Sequence, residues 1–264
     1  PGQVDSEKTT IPASERRKLR RMRRIILAAA KGGAGKSTVA VNLAAGLALS
    51  GKRVLFLDLD PYAGGTYGLG LQPDEDGLAD VLDRRGQLVT LARETGVRGL
   101  AAIAAGVGLF GIVKRLESAP LRLREALHGL RGWDVLVTDT PPAVGPLSVA
   151  ALAAGGEVLV PFTPSVPDLA SVAPFLGEAA TVRERLARDL RVRAFVPVRV
   201  TRTRIAAEVL AAARTQYPET TRTEIRQAAA VVEATAAGQP VAVYAPGSPA
   251  AEDFRDLARE LKEE

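Results

Sequence analysis

The chain has 264 residues, 47% of them hydrophobic and 25% charged, and these values exclude a globally disordered protein. It contains no cysteine, so disulfide frameworks, thiolate zinc sites, iron–sulfur clusters and cysteine nucleophiles are excluded. Because Lys31 and Lys36 interrupt the longest apolar stretch, residues 25–49, we predict no transmembrane helix.

The net charge of +5 is concentrated at the start of the chain. Of the 35 basic and 30 acidic residues, residues 1–24 hold eight and three, so the remainder is balanced at 27 of each. The basic run at 16–24 repels itself, which predicts a flexible, polyanion-seeking arm over residues 1–24. A solvated leader that only aids solubility is the alternative. A second positive zone, residues 181–226, has eleven arginines against five acids.

Beyond the arm, short β-branched runs alternate with longer runs of helical periodicity. The predicted elements are, in chain order, strand 25–30, helix 37–50, strand 53–58, helix 121–130, strand 133–139, helix 146–154, strand 157–162, helix 168–189, strand 192–200 and helix 204–216. This alternation predicts a mostly parallel central sheet flanked by helices on both faces. We therefore predict a single three-layer α/β domain over residues 25–264.

A glycine-rich sequence, Lys31-Gly-Gly-Ala-Gly-Lys-Ser-Thr38, connects the first predicted strand to the first helix. In this context glycines let successive N–H groups turn towards phosphate oxygens, and the helix N-terminus favours the same anion. Lys36 is expected on the β- and γ-phosphates and the Ser37 hydroxyl on Mg²⁺. The motif thus predicts a P-loop NTPase that binds ATP and Mg²⁺. The predicted nucleotide-binding residues of the loop are Gly32, Gly33, Ala34, Gly35, Lys36, Ser37 and Thr38.

Acidic residues follow two of the predicted strands. Asp58 and Asp60 end the strand 53–58, and their i, i+2 spacing makes them face the same way if the strand continues. Asp139 ends the strand 133–139. Ligands of parallel sheets lie outside the carboxyl ends of the strands, so we expect these acids beside the phosphate loop. A strand-terminal turn or a helix cap is the structural alternative for each of them.

The loop departs from the usual G-x-x-x-x-G-K-[ST] motif, because Ala30 stands where the first glycine belongs and Lys31 opens the loop. This form resembles the deviant Walker A motif of the ParA/MinD family of dimerising ATPases. The resemblance covers residues 25–264 and includes Asp-Leu-Asp-Pro, Asp-Thr-Pro-Pro and Val-Leu-Val-Pro. It implies that Lys31 reaches the nucleotide of a second subunit, where a cation can stabilise developing charge. A solvated loop lysine is the alternative.

The same resemblance implies roles for the acids. Asp139 is similar to the Walker B acid that holds Mg²⁺, Asp60 to the acid that orients the attacking water, and Asp58 is expected to support the site. Lys31, Lys36 and Asp60 are therefore the predicted catalytic residues. The implied reaction is hydrolysis of ATP to ADP and phosphate, slow unless stimulated.

The motifs resemble the ParA branch, which partitions plasmids and chromosomes, more than the MinD branch. That branch implies an ATP-dependent homodimer, nonspecific binding of double-stranded DNA, a ParB-like partner, and a cytoplasmic, nucleoid-associated protein. Arg202 matches an arginine of the family's DNA face, and Arg204, Arg222 and Arg226 are expected to help it. Tyr62-Ala63-Gly64 and Ser165 depart from the family pattern, so the hydrolysis rate and the choice of partner stay open.

Three alternatives remain. The first is a MinD-like, membrane-associated positioner of cell division. It is disfavoured because residues 250–264 carry six acids against three basic residues and would repel anionic lipid. The second is an enzyme on the same fold that phosphorylates an amide or carboxylate of a small molecule. The third is a nucleotide-binding scaffold with negligible hydrolysis.

Overall fold

A computed structural model describes residues 22–142 and 144–262 of the chain. Most of the predicted basic arm, residues 1–21, lies outside the described residues. The first strand begins at Arg23, two residues before its predicted start at residue 25, so the last two residues of the predicted arm belong to it. The Arg23 guanidinium pairs with Glu157 of a neighbouring strand and donates to the Leu261 carbonyl. Arg23 is therefore part of the folded domain.

Eight strands form one sheet in the described part of the chain. In chain order they are β1 (Arg23–Leu27), β2 (Val54–Asp58), β3 (Arg93–Glu94), β4 (Leu100–Ile103), β5 (Val135–Asp139), β6 (Glu157–Phe162), β7 (Arg191–Val200) and β8 (Ile225–Arg226). Their order across the sheet is β3-β4-β2-β5-β1-β6-β7-β8. Every pairing is parallel except the short antiparallel pairing of β3 with β4. The two edge strands contain only two residues each.

Helices connect these strands. They are α1 (Lys36–Leu49), α2 (Gly64–Gly68), α3 (Gly77–Leu82), α4 (Gly108–Ser118), α5 (Arg122–Ala126), α6 (Pro146–Ala153), α7 (Val166–Arg185), α8 (Arg204–Gln216), α9 (Ala229–Ala236), α10 (Val241–Tyr244) and α11 (Pro249–Glu260), with a 3-10 turn at Leu88–Leu91. None of the helices in the described residues is long and apolar enough to cross a membrane.

Two apolar cores lie on opposite faces of the sheet. Ile25 and Leu27 of β1 belong to one core, together with residues of α1 and α11, whereas Ile26 faces the other core with residues of α4, α6 and α7. This alternation follows from the two-residue period of a strand. Because both faces of the sheet are covered, the central strands are continuous apolar runs in the sequence. The predicted three-layer fold with a mostly parallel sheet is confirmed.

Most predicted boundaries hold within a few residues, and some elements were not predicted. The strands β3 and β4 and the helix α4 lie between residues 93 and 118, a segment for which no element was predicted. β4 has only four residues, Leu100–Ile103, all of them buried. A run this short cannot be distinguished by period from a loop or a helix fragment. The predicted helix 121–130 is shorter in the structure, because only Arg122–Ala126 is helical.

Candidate functional site

The site lies where the carboxyl ends of three central strands meet. Asp139, the last residue of β5, pairs in register with Leu27 at the end of β1 on one side and with Asp58 at the end of β2 on the other. The loop that follows β1 leads directly into α1. The structure therefore brings the predicted phosphate loop and the predicted acids together at one edge of the sheet, as the strand order requires.

Two glycines shape the phosphate loop. Gly33 and Gly35 have φ angles of 77° and 80°, a left-handed conformation that favours glycine, and Gly35 is the N-cap of α1. A Cβ atom on Gly35 would lie 3.2 Å from the Val198 side chain, so β7 packs closely against this loop. The first turn of α1 contains no acidic residue. Its N–H groups therefore keep the positive end of the helix dipole available to an anion.

Lys36 is held at the bottom of this loop. Its residue is only 6% exposed, and its ammonium group donates to the Lys31 carbonyl at 3.5 Å. Burial lowers the pKa of Lys36, whereas the negative charges of Asp139 and Asp60 act to raise it. A buried lysine in a glycine-rich loop, close to two acids, is the arrangement expected for a lysine that binds phosphate oxygens.

Asp139 has the properties of a metal ligand. Its exposure is 0%, and neither carboxylate oxygen has a hydrogen-bond partner in the described structure. Burial raises its pKa well above the ordinary value, and the charge of Asp58 adds to this effect, while Ser37 and Lys36 act in the opposite direction. Buried carboxylates are normally hydrogen-bonded, so two free oxygens beside the Ser37 hydroxyl fit a hard divalent cation.

No group of three or more acidic or histidine side chains that could hold a metal occurs among residues 22–142 and 144–262. This agrees with Mg²⁺, which is usually bound by one or two protein ligands and shares its remaining positions with phosphates and water. The pair of Ser37 and Asp139 stays a prediction for that ion.

The Asp58 carboxylate forms hydrogen bonds with the chain that follows β2. Its Oδ1 accepts from the Asp60 N–H at 3.0 Å, and its Oδ2 accepts from the Thr66 N–H at 2.7 Å and the Thr66 hydroxyl at 2.8 Å. Burial raises the pKa of Asp58 to about 6, although these hydrogen bonds act to lower it. These contacts hold the segment 60–66 in place.

Asp60 occupies the turn after β2. The strand ends at Asp58, as predicted, so the condition under which Asp58 and Asp60 would face the same way is not met. Asp60 Oδ1 instead accepts from the N–H of Tyr62 at 3.0 Å, and the residue is 8% exposed. Its charge acts on Lys36, which places it near the same site. Tyr62 is 71% exposed and packs edge-on against Phe110, with ring centroids 5.6 Å apart.

Lys31 contacts a residue that the sequence analysis missed. Its ammonium group forms an ion pair with Asp168, near the start of α7. Ser165 is the N-cap of this helix and accepts a hydrogen bond from the Asp168 N–H at 3.4 Å. The sequence carries the pattern Ser165-x-x-Asp168, which is a helix-start signal, but this pattern does not predict that the acid meets the loop lysine.

The four arginines predicted for DNA lie together, in a groove beside the end of β7 that we call the arginine groove. Its volume is about 820 Å³, and its charged lining residues are Arg202, Arg204, Arg214, Arg222, Glu224 and Arg226. Arg226 is bound by both oxygens of Asp253, at 2.7 Å each. Arg204 pairs with Glu208 at 2.8 Å, and its side chain is still 93% exposed. The Arg202 side chain forms no ion pair with the described residues.

Comparisons with known proteins identify the family of this chain. A family model described as an AAA domain matches residues 22–192. The chromosome-partitioning ATPase Soj of Thermus thermophilus is 39% identical over 243 residues, which are 91% of this chain and 96% of that protein. A structure of cobyrinic acid a,c-diamide synthase from Mycobacterium smegmatis, with a bound ATP analog and magnesium, has a TM-score of 0.79 and 26% identity and covers 92% of this chain and 95% of that chain.

A structure of the septum site-determining protein MinD from Pyrococcus horikoshii, complexed with Mg-ADP, has a TM-score of 0.76. It covers 92% of this chain and 97% of that chain, but at 24% identity it shows the fold alone. Fold, loop and acids together define a P-loop ATPase. The chain belongs to the ParA/MinD family of these ATPases and is a ParA-type partition ATPase, similar to Soj. The predicted ATPase activity and the predicted use of ATP and Mg²⁺ agree with this membership.

Proposed function

We propose that this ATPase binds Mg·ATP at the carboxyl edge of the sheet, dimerises on the nucleotide, and then binds DNA nonspecifically in chromosome or plasmid partition. A ParB-like partner and a cytoplasmic, nucleoid-associated location belong to the same proposal. The observation that carries the DNA part is the arginine groove, because it gathers all four predicted arginines beside the strand that packs on the phosphate loop.

The site residues divide into three tasks. The loop Gly32–Thr38 and Lys36 hold the phosphates, and Ser37 with Asp139 holds Mg²⁺, which neutralises phosphate charge when bound. Asp60 orients the attacking water and accepts its hydrogen bond. Asp60 suits this task because its second oxygen is not used by Tyr62, whose N–H binds Oδ1. Lys31 supplies a cation to the nucleotide of the second subunit, where it stabilises charge that develops in the transition state.

The arginine groove fits a polyanion better than a small ligand. It is open and about 820 Å³ in volume, and five guanidinium groups line it against one acid, Glu224, which is itself paired with Arg214 at 2.7 Å. Arg202 has no such partner among the described residues, so its charge is available to phosphates. Phosphate contacts of this kind give sequence-independent affinity for DNA that depends strongly on salt.

A membrane-associated role of the MinD type has less support. The apolar stripe of the last helix is not free to enter a lipid surface, because Phe254, Leu257 and Leu261 are buried in the core shared with α1. The exposed side of that helix carries acids, which anionic lipid would repel. Flotation of the protein with anionic vesicles and ATP tests this alternative, and we expect no ATP-dependent flotation.

The proposal is tested by reversing the charge of Arg202. We expect R202E to weaken ATP-dependent binding of a nonspecific DNA duplex at least about fivefold, the equivalent of about 1 kcal/mol for one exposed ionic contact. The salt dependence should fall by about one unit in the slope of log affinity against log salt. Binding is measured by fluorescence anisotropy, with nucleotide affinity measured in parallel and expected to be unchanged.

Arg183→Glu is the matched control, because Arg183 is exposed on α7 and lies outside the arginine groove but inside the basic zone 181–226. It changes the net charge by the same amount. Equal losses of DNA affinity in R202E and R183E would show a general effect of charge. They would contradict the proposal that the arginine groove binds the DNA. Absence of DNA binding by the unmodified protein with Mg·ATP would refute the DNA part altogether.

A small-molecule kinase on this fold would show ATP turnover only with its own substrate.

A further inference from the structure

The cation that the proposed dimer needs already has a partner in its own chain. The Lys31 ammonium group contacts Asp168 Oδ1. The Lys31 side chain is 50% exposed, whereas the side chain of Asp168 is only 6% exposed. The aspartate is thus the fixed member of the pair, and the lysine is the member that can move.

Three donors hold the Asp168 carboxylate in place. The Thr163 N–H donates to Oδ2 at 3.2 Å, the Thr163 hydroxyl donates to the same oxygen, and Lys31 donates to Oδ1. Burial by itself would raise the pKa of Asp168, but the hydrogen bonds from Lys31 and Thr163 outweigh this effect and lower the pKa below its ordinary value. Asp168 is therefore charged at neutral pH, and its position does not depend on Lys31 alone.

We propose that Asp168 is a positioning residue that holds Lys31 on its own subunit in the nucleotide-free chain and so opposes premature dimerisation. The second half of this statement rests on the proposed function. One ammonium group cannot remain on Asp168 and also reach the phosphates bound by a second copy, so the two contacts compete. Because Lys31 is half exposed, the ion pair is screened by solvent, and we expect it to shift the nucleotide requirement about two- to fivefold.

Asp168 could instead serve only as an acid in the first turn of α7, where it interacts favourably with the helix dipole. The two roles predict different results. Loss of a helix-start contact lowers the stability of the protein and leaves Lys31 unaffected. Loss of a restraint on Lys31 changes the reactivity of that one amine. The test therefore measures the lysine itself.

The first measurement is the rate of amine modification of Lys31 by reductive methylation, read by mass spectrometry on the full chain without nucleotide. Asp168→Asn keeps the size of the side chain and an oxygen for Thr163 but removes the charge. A lysine released from an ion pair is more nucleophilic, so we expect Lys31 to react about two- to fivefold faster in D168N. Glu178→Gln, at an exposed position of the same helix, removes an equal charge and should leave the rate unchanged. Equal rates in all three proteins would overturn the restraint.

The second measurement is light scattering during titration with Mg·ATP. We expect D168N to reach half-maximal dimer at about two- to fivefold less ATP than the unmodified protein and E178Q. An unchanged or higher requirement in D168N would overturn the competition. If the unmodified protein stays monomeric at saturating ATP, the proposed function fails in its dimerisation step, while the labelling result still decides whether Asp168 restrains Lys31. Should D168N not fold, Thr163→Val removes only the hydroxyl that holds Asp168, and an unchanged Lys31 rate in that variant counts against the restraint.

Discussion

Thr66 connects the site to the fold through two buried hydrogen bonds, so its replacement by valine tests how the acids are supported. The Thr66 hydroxyl donates to Asp58 Oδ2 at 2.8 Å and accepts from the Ala105 N–H at 3.0 Å, and the residue is 1% exposed. Valine has almost the same shape but can form neither bond. T66V leaves the Ala105 N–H without an acceptor and removes one donor from a buried carboxylate.

The cost can be estimated from these two losses. A buried, unsatisfied N–H costs about 1–3 kcal/mol, and a hydrogen bond to a charged group contributes about 1.5–3 kcal/mol. Part of this is offset because valine buries an additional methyl group, worth about 1 kcal/mol. We therefore expect T66V to lower the free energy of unfolding by about 2–4 kcal/mol and to raise the pKa of Asp58 further above its value of about 6.

Urea denaturation followed by circular dichroism measures this change. Thr215→Val is the control, because the Thr215 hydroxyl also forms a hydrogen bond, to the Ala211 carbonyl at 3.0 Å, but at an exposed position of α8. We expect T215V to change the free energy of unfolding by no more than about 0.5 kcal/mol. If T66V and T215V differ by less than about 1 kcal/mol, the bracing of Asp58 and Ala105 through one hydroxyl is not what stabilises this region.

Three further predictions concern the acids of the site. If Asp60 positions the attacking water, the Asp60→Ala variant should bind ATP normally but hydrolyse it at least about 100-fold more slowly. Phosphate release measures the turnover, and a nucleotide-binding titration measures the affinity. Normal phosphate release by this variant would show that Asp60 does not position the water. The raised pKa of Asp58 gives a pH dependence of defined sign. The folded protein takes up a proton on Asp58 as the pH falls through about 6, whereas the unfolded chain takes it up only near 3.8. Without nucleotide, the free energy of unfolding should therefore rise by up to about 3 kcal/mol as the pH falls from about 6 to about 4. Mg²⁺-dependent nucleotide affinity should weaken as the pH falls. The reason is that Asp139, whose pKa is raised well above normal, must be deprotonated to bind the ion. An affinity that is constant between pH 8 and 5 would contradict this prediction.

The sequence predicts the catalytic edge of this sheet well, because its signals are local. Lys36 and its loop form one continuous motif, and Asp58 and Asp139 each end an apolar run that is buried on both faces. Parallel pairing then places both acids at the same edge, and the observed register Asp58↔Asp139 agrees with this expectation. No information beyond the strand order is needed for that result.

The parts that could not be predicted depend on contacts between distant segments or on where a strand stops. The i, i+2 argument for Asp60 required a strand that continues beyond Asp58. β2 ends at Asp58, whose carboxylate accepts a hydrogen bond from the Asp60 N–H. The ion pair of Lys31 with Asp168 joins residues 137 positions apart, and neither residue has a local pattern that indicates the other. Likewise, Arg226 was predicted to face DNA, and only the fold reveals that Asp253 already binds it.

The two-residue edge strands have a consequence for how copies of this protein can associate. A second chain can extend a sheet by forming hydrogen bonds along an unpaired edge strand. The edge strands of this sheet have too few free backbone groups for such pairing, because they consist only of Arg93–Glu94 and Ile225–Arg226. Three of these four residues carry a charged side chain, which further disfavours edge-to-edge pairing of sheets from different copies. We therefore expect copies of this protein to associate through side chains and not through the edges of the sheet.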